Sequence, residues 1–338
     1  MKRDPIIWVL IDERPGTGSQ SKGVAISLGI PFIEKYLRWS RLACLPNILL
    51  GPSLLGLTNA SKSAINPPWP DIVVASGRRA ATVARYIKRQ NPQECSLIQI
   101  MYPGNVAINE FDIIAVPNHD FSIANSKNIL RTIGAPNNIG HDQISSANIQ
   151  WNKEFSSLKK PIIGLVIGGA TKRRSFTKKM ADKLGHQTAN LVNELSGSLI
   201  ITTSPRTRDE LEPILNCISE KNIRPSFLHC WRREDSADDN PYLGILSHAD
   251  HIIMTGDSTS MCSDACTNGN TVHIFAPNGF LGKKHQRFID ELVSGGYAYL
   301  LGEYLVKSSS CVVQKKLDVA AQIAREIEIR VLSKFGQH

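Results

Sequence analysis

From end to end the chain alternates short apolar runs rich in β-branched residues with segments long enough to form a helix. In the first half, IIWVLI (6–11), DIVVA (71–75), SLIQI (96–100) and DIIAV (112–116) are almost continuously apolar, the pattern of strands buried on both faces. SKGVAISLG (21–29) and RRAATVARYIKRQ (78–90) read as helices between them. Parallel strands need crossover connections, so this half predicts a parallel sheet built from βα units.

The same grammar returns in the second half. PIIGLVIGG (161–169), SLIITTS (198–204), SFLHCW (226–231), HIIMTG (251–256) and TVHIFAP (271–277) are strand candidates separated by helix-sized stretches. A polar passage at 134–160 divides the halves, with a linker expected near 137–158. The reading is therefore α/β, with an N-terminal Rossmann-like domain over 1–150 and a C-terminal one over 151–310. In the last segment, 311–338, Leu317, Ala320, Ala321, Ala324, Ile327 and Val331 fall at helical spacing, a final helix expected to cover an open domain face.

With 42% apolar residues, the 338-residue chain reads as globular and long enough for two cores. It has no run of about 18 apolar residues and enters DPIIWVLIDE almost at once, so a cytoplasmic location is expected. Its seven cysteines are odd in number and form no CxxC pair, which fits reduced thiols rather than disulfides or structural zinc. Cys262 and Cys266 share a helical face, where core packing is the plainer account. A net charge of +9 favours anionic partners, but no nucleic-acid motif accompanies it, so no nucleic acid is expected.

In open parallel sheets, ligands bind beyond the carboxyl ends of the strands, and polar residues cluster there in this chain. DERPGTGSQSKG follows the first run with Gly16, Gly18, Ser19 and Gln20 ahead of a helix. That segment can be a ligand loop or an ordinary turn; ASGRRAA repeats the logic with Gly77 and with Arg78 and Arg79 at a helix start, where an anionic ligand or a carboxylate partner would offset the dipole and Arg79 reads as solvated. VPNHD offers His119 and Asp120 as an acid/base pair or a structural one.

The second half is richer. IGGATKRRS places Gly168 and Gly169 before Lys172, Arg173 and Arg174, a phosphate-cradle pattern. TTSPRTRDE contributes Ser204, Arg206 and Thr207, and TGDSTSMCSDA contributes Asp257, Ser258, Ser260 and Met261, with Asp264 about one helical turn further on. Hydroxyls and N–H groups at a helix start can bind phosphate, and a carboxylate one turn later can accept from ribose hydroxyls. Ser and Asp are also common N-caps, which is the plainer alternative for each.

At GSQSKGVAISLG, PDIVVASGRRAATVARYIK, DIIAVPNHD, NILRTIGAPN, IGLVIGG, LIITTSPRTRDEL, the long NPY-to-GDS-to-HIF segment and KHQRFIDELVSGGY, the chain resembles the "elongated mitochondria" fission-protein family of plants and its bacterial relatives. Members have been labelled nucleoside-diphosphate-sugar epimerases. The resemblance implies a GT-B-like fold, two Rossmann-like domains with parallel sheets facing a central cleft. It also implies a nucleotide-sugar donor on the C-terminal domain: Gly168 and Gly169 at the phosphates, Ser258 and Ser260 at phosphate or ribose, and Asp264 at ribose. The usual family acid at the last position is Glu, one methylene longer.

By that resemblance the protein is expected to be a metal-independent glycosyltransferase using a nucleoside-diphosphate-sugar as substrate, with no cofactor and no metal. Gly16, Gly18, Ser19, Gln20, Gly77 and Arg78 would lie on the acceptor side, and Asp120 or His119 would act as base. The same resemblance leaves a sugar-nucleotide epimerase and a non-catalytic adaptor for membrane division open. The Asp238–Asp239 pair lies in a polar loop rather than at a strand end, and argues poorly for a metal-binding acid motif.

One segment raises the question of a membrane. Residues 30–57 combine Phe32, Leu37, Trp39, Leu42, Leu45, Leu49, Leu50, Leu54 and Leu55 with Lys35, Arg38 and Arg41. The stretch is too interrupted to span a bilayer. It suits an interfacial patch on an anionic membrane surface or near a lipid-linked acceptor, and it suits a packed βα connection equally well.

Overall fold

The computed structural model describes residues 4–92, 95–120, 126–136, 139–171, 174–236, 238–303 and 315–335. The chain divides into two compact units, Met1–Asn138 with Asp318–His338, and Ile139–Leu317. The division falls ahead of the expected boundary at 150, and the expected boundary at 310 lies outside the described residues.

The first unit runs β1 (Ile7–Asp12), α1 (Pro15–Ser27), β2 (Ile33–Leu37), α2 (Asn47–Leu50), α3 (Asn59–Ser63), β3 (Ile72–Ser76), α4 (Gly77–Gln90), β4 (Ser96–Ile100), β5 (Ile113–Pro117) and β6 (Ile129–Thr132). Its sheet is parallel with order β2-β1-β3-β4-β5-β6, so the strand order reverses between β1 and β3. Every residue of β3, β4 and β5 is buried, as their continuous apolar runs predict. Each large aliphatic side chain taken from water in this way contributes about 1.5–3 kcal/mol.

The second unit opens with α5 (His141–Gln150) and α6 (Asn152–Phe155). It continues β7 (Ile162–Ile167), α7 (Lys178–Leu195), β8 (Ser198–Thr203), α8 (Leu211–Ser219), β9 (Phe227–His229), α9 (Tyr242–His248), β10 (His251–Thr255), α10 (Thr259–Ala265), β11 (Thr271–Phe275), α11 (Lys283–Ser294) and β12 (Tyr299–Leu300). The parallel sheet has order β12-β11-β10-β7-β8-β9, and the order reverses between β7 and β10. That is the Rossmann arrangement, and in open sheets of this kind ligands bind beyond the ends of the strands at such a switch point, here β7 and β10.

Helix α12 (Val319–Arg330) returns to the first unit and packs on α1. Asp318 caps it by accepting from the Ala321 N–H at 2.8 Å. Ala320, Ile323, Ala324 and Ile327 are buried, whereas Ala321 is exposed; Ile323 takes the core position that the spacing gave to Ala321.

Three further expectations are corrected. The helix after β1 begins at Pro15 rather than Ser21, because proline at the first helical position has no N–H to leave unpaired. Gly16, Gly18, Ser19 and Gln20 therefore lie inside α1, not in a loop. The expected linker is largely helical: α5 packs on α9, and the Trp151 ring stacks on Phe155 at 5.6 Å and meets Phe227 edge-on at 5.9 Å. Finally, β2, β6 and β12 were not expected; β2 and β6 are largely half-exposed and β12 has only two residues, so none carries the apolar run that marks an interior strand.

Candidate functional site

At the β7–β10 switch point the loops after three strands converge on one buried carboxylate. Asp257 follows β10, and its side chain is fully buried. Its Oδ2 accepts from the Arg206 guanidinium at 2.5 Å and from the Gly169 N–H at 3.2 Å. Its Oδ1 is buried with no hydrogen-bond partner among the described residues. The glycines are sterically required: a Cβ on Gly168 would fall onto the Asp257 carboxylate, and one on Gly169 onto the Arg206 carbonyl.

The other residues expected on this domain are placed around that carboxylate. The Gly168 N–H donates to Thr255 Oγ1 at 2.7 Å, so both glycine N–H groups already have acceptors within the protein. After β8, Thr207 Oγ1 accepts from the Ser204 N–H at 3.1 Å and donates to the Gly168 carbonyl at 2.5 Å, tying this loop to the first. Ser204 Oγ accepts from the Arg206 N–H at 3.2 Å, which sets the arginine's position. The Arg206 side chain itself remains 42% exposed.

Ser258 caps α10, accepting from the Met261 N–H at 3.4 Å; Ser260 is exposed on the first turn. Asp264 accepts from the Tyr242 hydroxyl at 3.1 Å. Burial, and then the Asp264 carboxylate, hold that phenol well above its ordinary range. Cys262 and Cys266 are buried behind the helix, where desolvation keeps both thiols protonated, Cys266 pushed up to about 12. Lys172 and Arg173 lie outside the described residues.

Two residues without an expected role join this neighbourhood, both from motifs quoted above. Tyr242 is the tyrosine of NPY. His285, in KHQRF at the start of α11, lies close enough to feel the charges of Asp257 and Arg206. Burial, then Lys284, lower its pKa, so at neutral pH it is an uncharged imidazole that can accept or donate. The visible signal was a histidine in the first turn of a helix after an apolar strand.

The first unit has its own switch point, between β1 and β3. Asp12 is buried there and paired with Arg14 at 2.6 Å; burial opposes its ionisation, but the opposing interactions, those with Arg14 foremost, together hold the carboxyl below its ordinary value. Ser76 Oγ donates to Gln20 Oε1 at 3.1 Å, joining α1 to the end of β3. Gly77 takes a φ of +80°, which only glycine adopts without strain, and Gly18 lets α1 pack close to the Asp12 carbonyl.

Arg78 turns elsewhere. Its guanidinium donates to the carbonyls of Leu45 (2.8 Å) and Ala43 (3.3 Å) and to Asn47 Oδ1 (2.9 Å). It thus anchors the segment carrying Leu42, Leu45, Ile48, Leu49 and Leu55, all exposed, while Leu37 and Leu50 are buried. His119 is buried and Asp120 half-buried after β5, and both are engaged with neighbours.

The family described as Mitochondrial fission ELM1 matches residues 15–331. The chain belongs to this family. Among its relatives, the uncharacterized protein RP120 of Rickettsia prowazekii is 29% identical over 353 residues, covering 95% of this chain and 97% of that one. Mitochondrial fission protein ELM1 of Arabidopsis thaliana is 26% identical over 249 residues, covering 67% of this chain and 56% of that protein. Of solved structures, a UDP-GlcNAc 2-epimerase from Methanocaldococcus jannaschii superposes with a TM-score of 0.57 at 11% identity, covering 97% of this chain and 99% of that chain. At that identity the likeness is one of fold, and the α/β, GT-B-like fold class expected from the sequence is the one this ELM1-family chain has. Among the described residues no helix is long and apolar enough to cross a membrane.

Proposed function

We propose that this protein binds a nucleoside-diphosphate-sugar at the β7–β10 switch point and transfers the sugar to an acceptor presented at a membrane surface. The observation that carries the reading is the convergence of three strand-end loops on the Asp257–Arg206 pair at a topological switch point. With both glycine N–H groups spent inside the protein, the diphosphate would be met by Arg206, the hydroxyls of Ser258 and Ser260, and His285. A guanidinium and an imidazole can stabilise charge developing on a departing diphosphate without a divalent ion. Asp264, steadied by Tyr242, faces the role of ribose acceptor. On the acceptor side, half-buried Asp120 suits a general base better than buried His119.

The membrane part rests on the segment held by Arg78. Ile48 and Leu49, 73% and 67% exposed, stand with Leu42, Leu45 and Leu55 beside exposed Arg38 and Arg41, an apolar and basic mixture suited to an anionic bilayer surface.

A thermal-shift panel of UDP, GDP, CDP and their sugar conjugates tests the donor site, and one of them at millimolar concentration should raise the melting temperature. No rise with any nucleotide would remove it. One observation favours a second reading, a non-catalytic adaptor: the cradle satisfies itself, since Asp257 already occupies the Gly169 N–H. An adaptor predicts membrane binding without nucleotide stabilisation.

A further inference from the structure

A different cluster lies between α7 and α8, on residues that the strand-end site does not use. His186 of α7, and Cys217 and Glu220 at the end of α8, place one donor atom each within 4.8 Å of one another. Asp182, one turn before His186, has a carboxylate oxygen 4.0 Å from the Cys217 sulfur.

The backbone brings these groups together for a steric reason. Gly185 sits where a Cβ would lie 2.7 Å from Cys217 Cβ and 2.7 Å from the Ile214 carbonyl, so α8 can press against α7 only because that position is glycine. The spacing Asp182–His186 (i, i+4) sets two donors on one face of α7, and Cys217–Glu220 (i, i+3) sets two more on the facing side of α8. Above them opens a groove of about 580 Å³, whose lining includes Asp182, Asp209, Glu212 and Glu220. On a chain of net charge +9 this is a locally acidic pocket.

We infer that His186, Cys217 and Glu220 form a binding site for a divalent transition metal, zinc by its chemistry, with Asp182, beside Cys217, as the nearby fourth donor. An imidazole, a thiolate and a carboxylate are the mixed N, S and O donors that zinc accepts, with Asp182 or water completing four-coordinate geometry, whereas magnesium and calcium take oxygen alone. Tetrahedral ligation draws the donors closer than 4.8 Å, which rotamer adjustment of the exposed His186 and Glu220 supplies. The sequence conceals the site, because its donors come from two helices and include no CxxC or HxxxH pair. The bound ion would clamp α7 to α8, and so stabilise the fold rather than take part in sugar transfer.

Cobalt(II) titration of the metal-stripped full chain tests this. The expected result is one equivalent bound, with a thiolate-to-cobalt charge-transfer band and intense tetrahedral d–d bands, both bleached by zinc. Cys217→Ser should abolish the charge-transfer band, and His186→Ala, at an exposed position, should weaken zinc binding about 10- to 100-fold without unfolding the protein. Zinc should also raise the melting temperature of the wild type and not of His186→Ala. Absence of stoichiometric binding at micromolar cobalt overturns the site, as does an unchanged band in Cys217→Ser or unchanged affinity in His186→Ala. A Cys44→Ser/Cys230→Ser variant, which removes the exposed thiols among the described residues, should keep the band; its loss there would equally overturn the assignment.

Discussion

The Arg206 guanidinium lies 2.5 Å from the carboxylate of Asp257, a side chain with no solvent exposure. The pair joins loops that are 51 residues apart in sequence, at the point where the second sheet changes direction. Removing the cation leaves the buried carboxylate with the Gly169 N–H as its one donor among the described residues, whereas Asp257→Asn keeps the shape without the charge. Arg206→Ala should therefore cost about 2–3 kcal/mol in urea unfolding, and Asp257→Asn clearly less. A double-mutant cycle should return a coupling of at least about 1 kcal/mol; additive losses would mean that the pair is not coupled.

The glycines beneath that pair have no room for a methyl group. Gly168→Ala and Gly169→Ala push against the Asp257 carboxylate and the Arg206 carbonyl respectively. Each should destabilise the protein by about 1–3 kcal/mol, and each should abolish any nucleotide-induced thermal shift. Wild-type stability in both would show that the loop relaxes freely.

Nucleotide binding should depend on pH through His285. Burial and Lys284 depress its pKa in the free protein, and a diphosphate alongside would raise it, so binding takes up a proton. Affinity measured calorimetrically should rise as pH falls from neutrality towards the lowered His285 pKa, and His285→Gln should flatten that dependence. A flat profile in the wild type would place His285 outside the binding site.

A second histidine makes stability itself depend on pH. His273 is fully buried and 3.1 Å from His251, and its pKa is lowered from 6.5 to about 3 by burial, then by the neighbouring imidazole. The unfolded chain therefore binds more protons than the folded one between those values. Stability is fully present above about pH 6.5 and declines as pH falls towards 3, by about 2 kcal/mol at pH 5. Melting temperatures from pH 7 to 4 should fall less steeply in His273→Leu than in the wild type. Equal slopes would assign the acid sensitivity elsewhere.

Membrane contact, if it uses the segment held by Arg78, should be lost without loss of fold. Ile48→Glu with Leu49→Glu changes two exposed side chains and should leave the melting temperature within about 1 °C. Flotation with anionic liposomes should fall at least tenfold, and Arg78→Ala should weaken it by releasing the carbonyls of Ala43 and Leu45. Undiminished flotation of the Glu variant would rule the patch out.

The interior strands were legible because a strand buried on both faces must be largely apolar, and that is a local property; even β4, which buries Ser96 and Gln99, is apolar at its other positions. DIVVA, SLIQI and DIIAV announce β3, β4 and β5 for this reason, and the strand-end rule then points to Gly168, Arg206 and Asp257 as neighbours. Partly exposed edge strands and the Pro15 helix start escape the same reading, since half-solvated backbone tolerates polar, glycine-rich sequence. What no local pattern encodes is which polar group satisfies which. Gly169 donates to Asp257, Arg78 turns to the carbonyls of 43–45, α12 returns to the first unit, and Cys217 meets His186 across two helices. Those pairings join residues tens to hundreds of positions apart, so only the packing of the tertiary structure selects them.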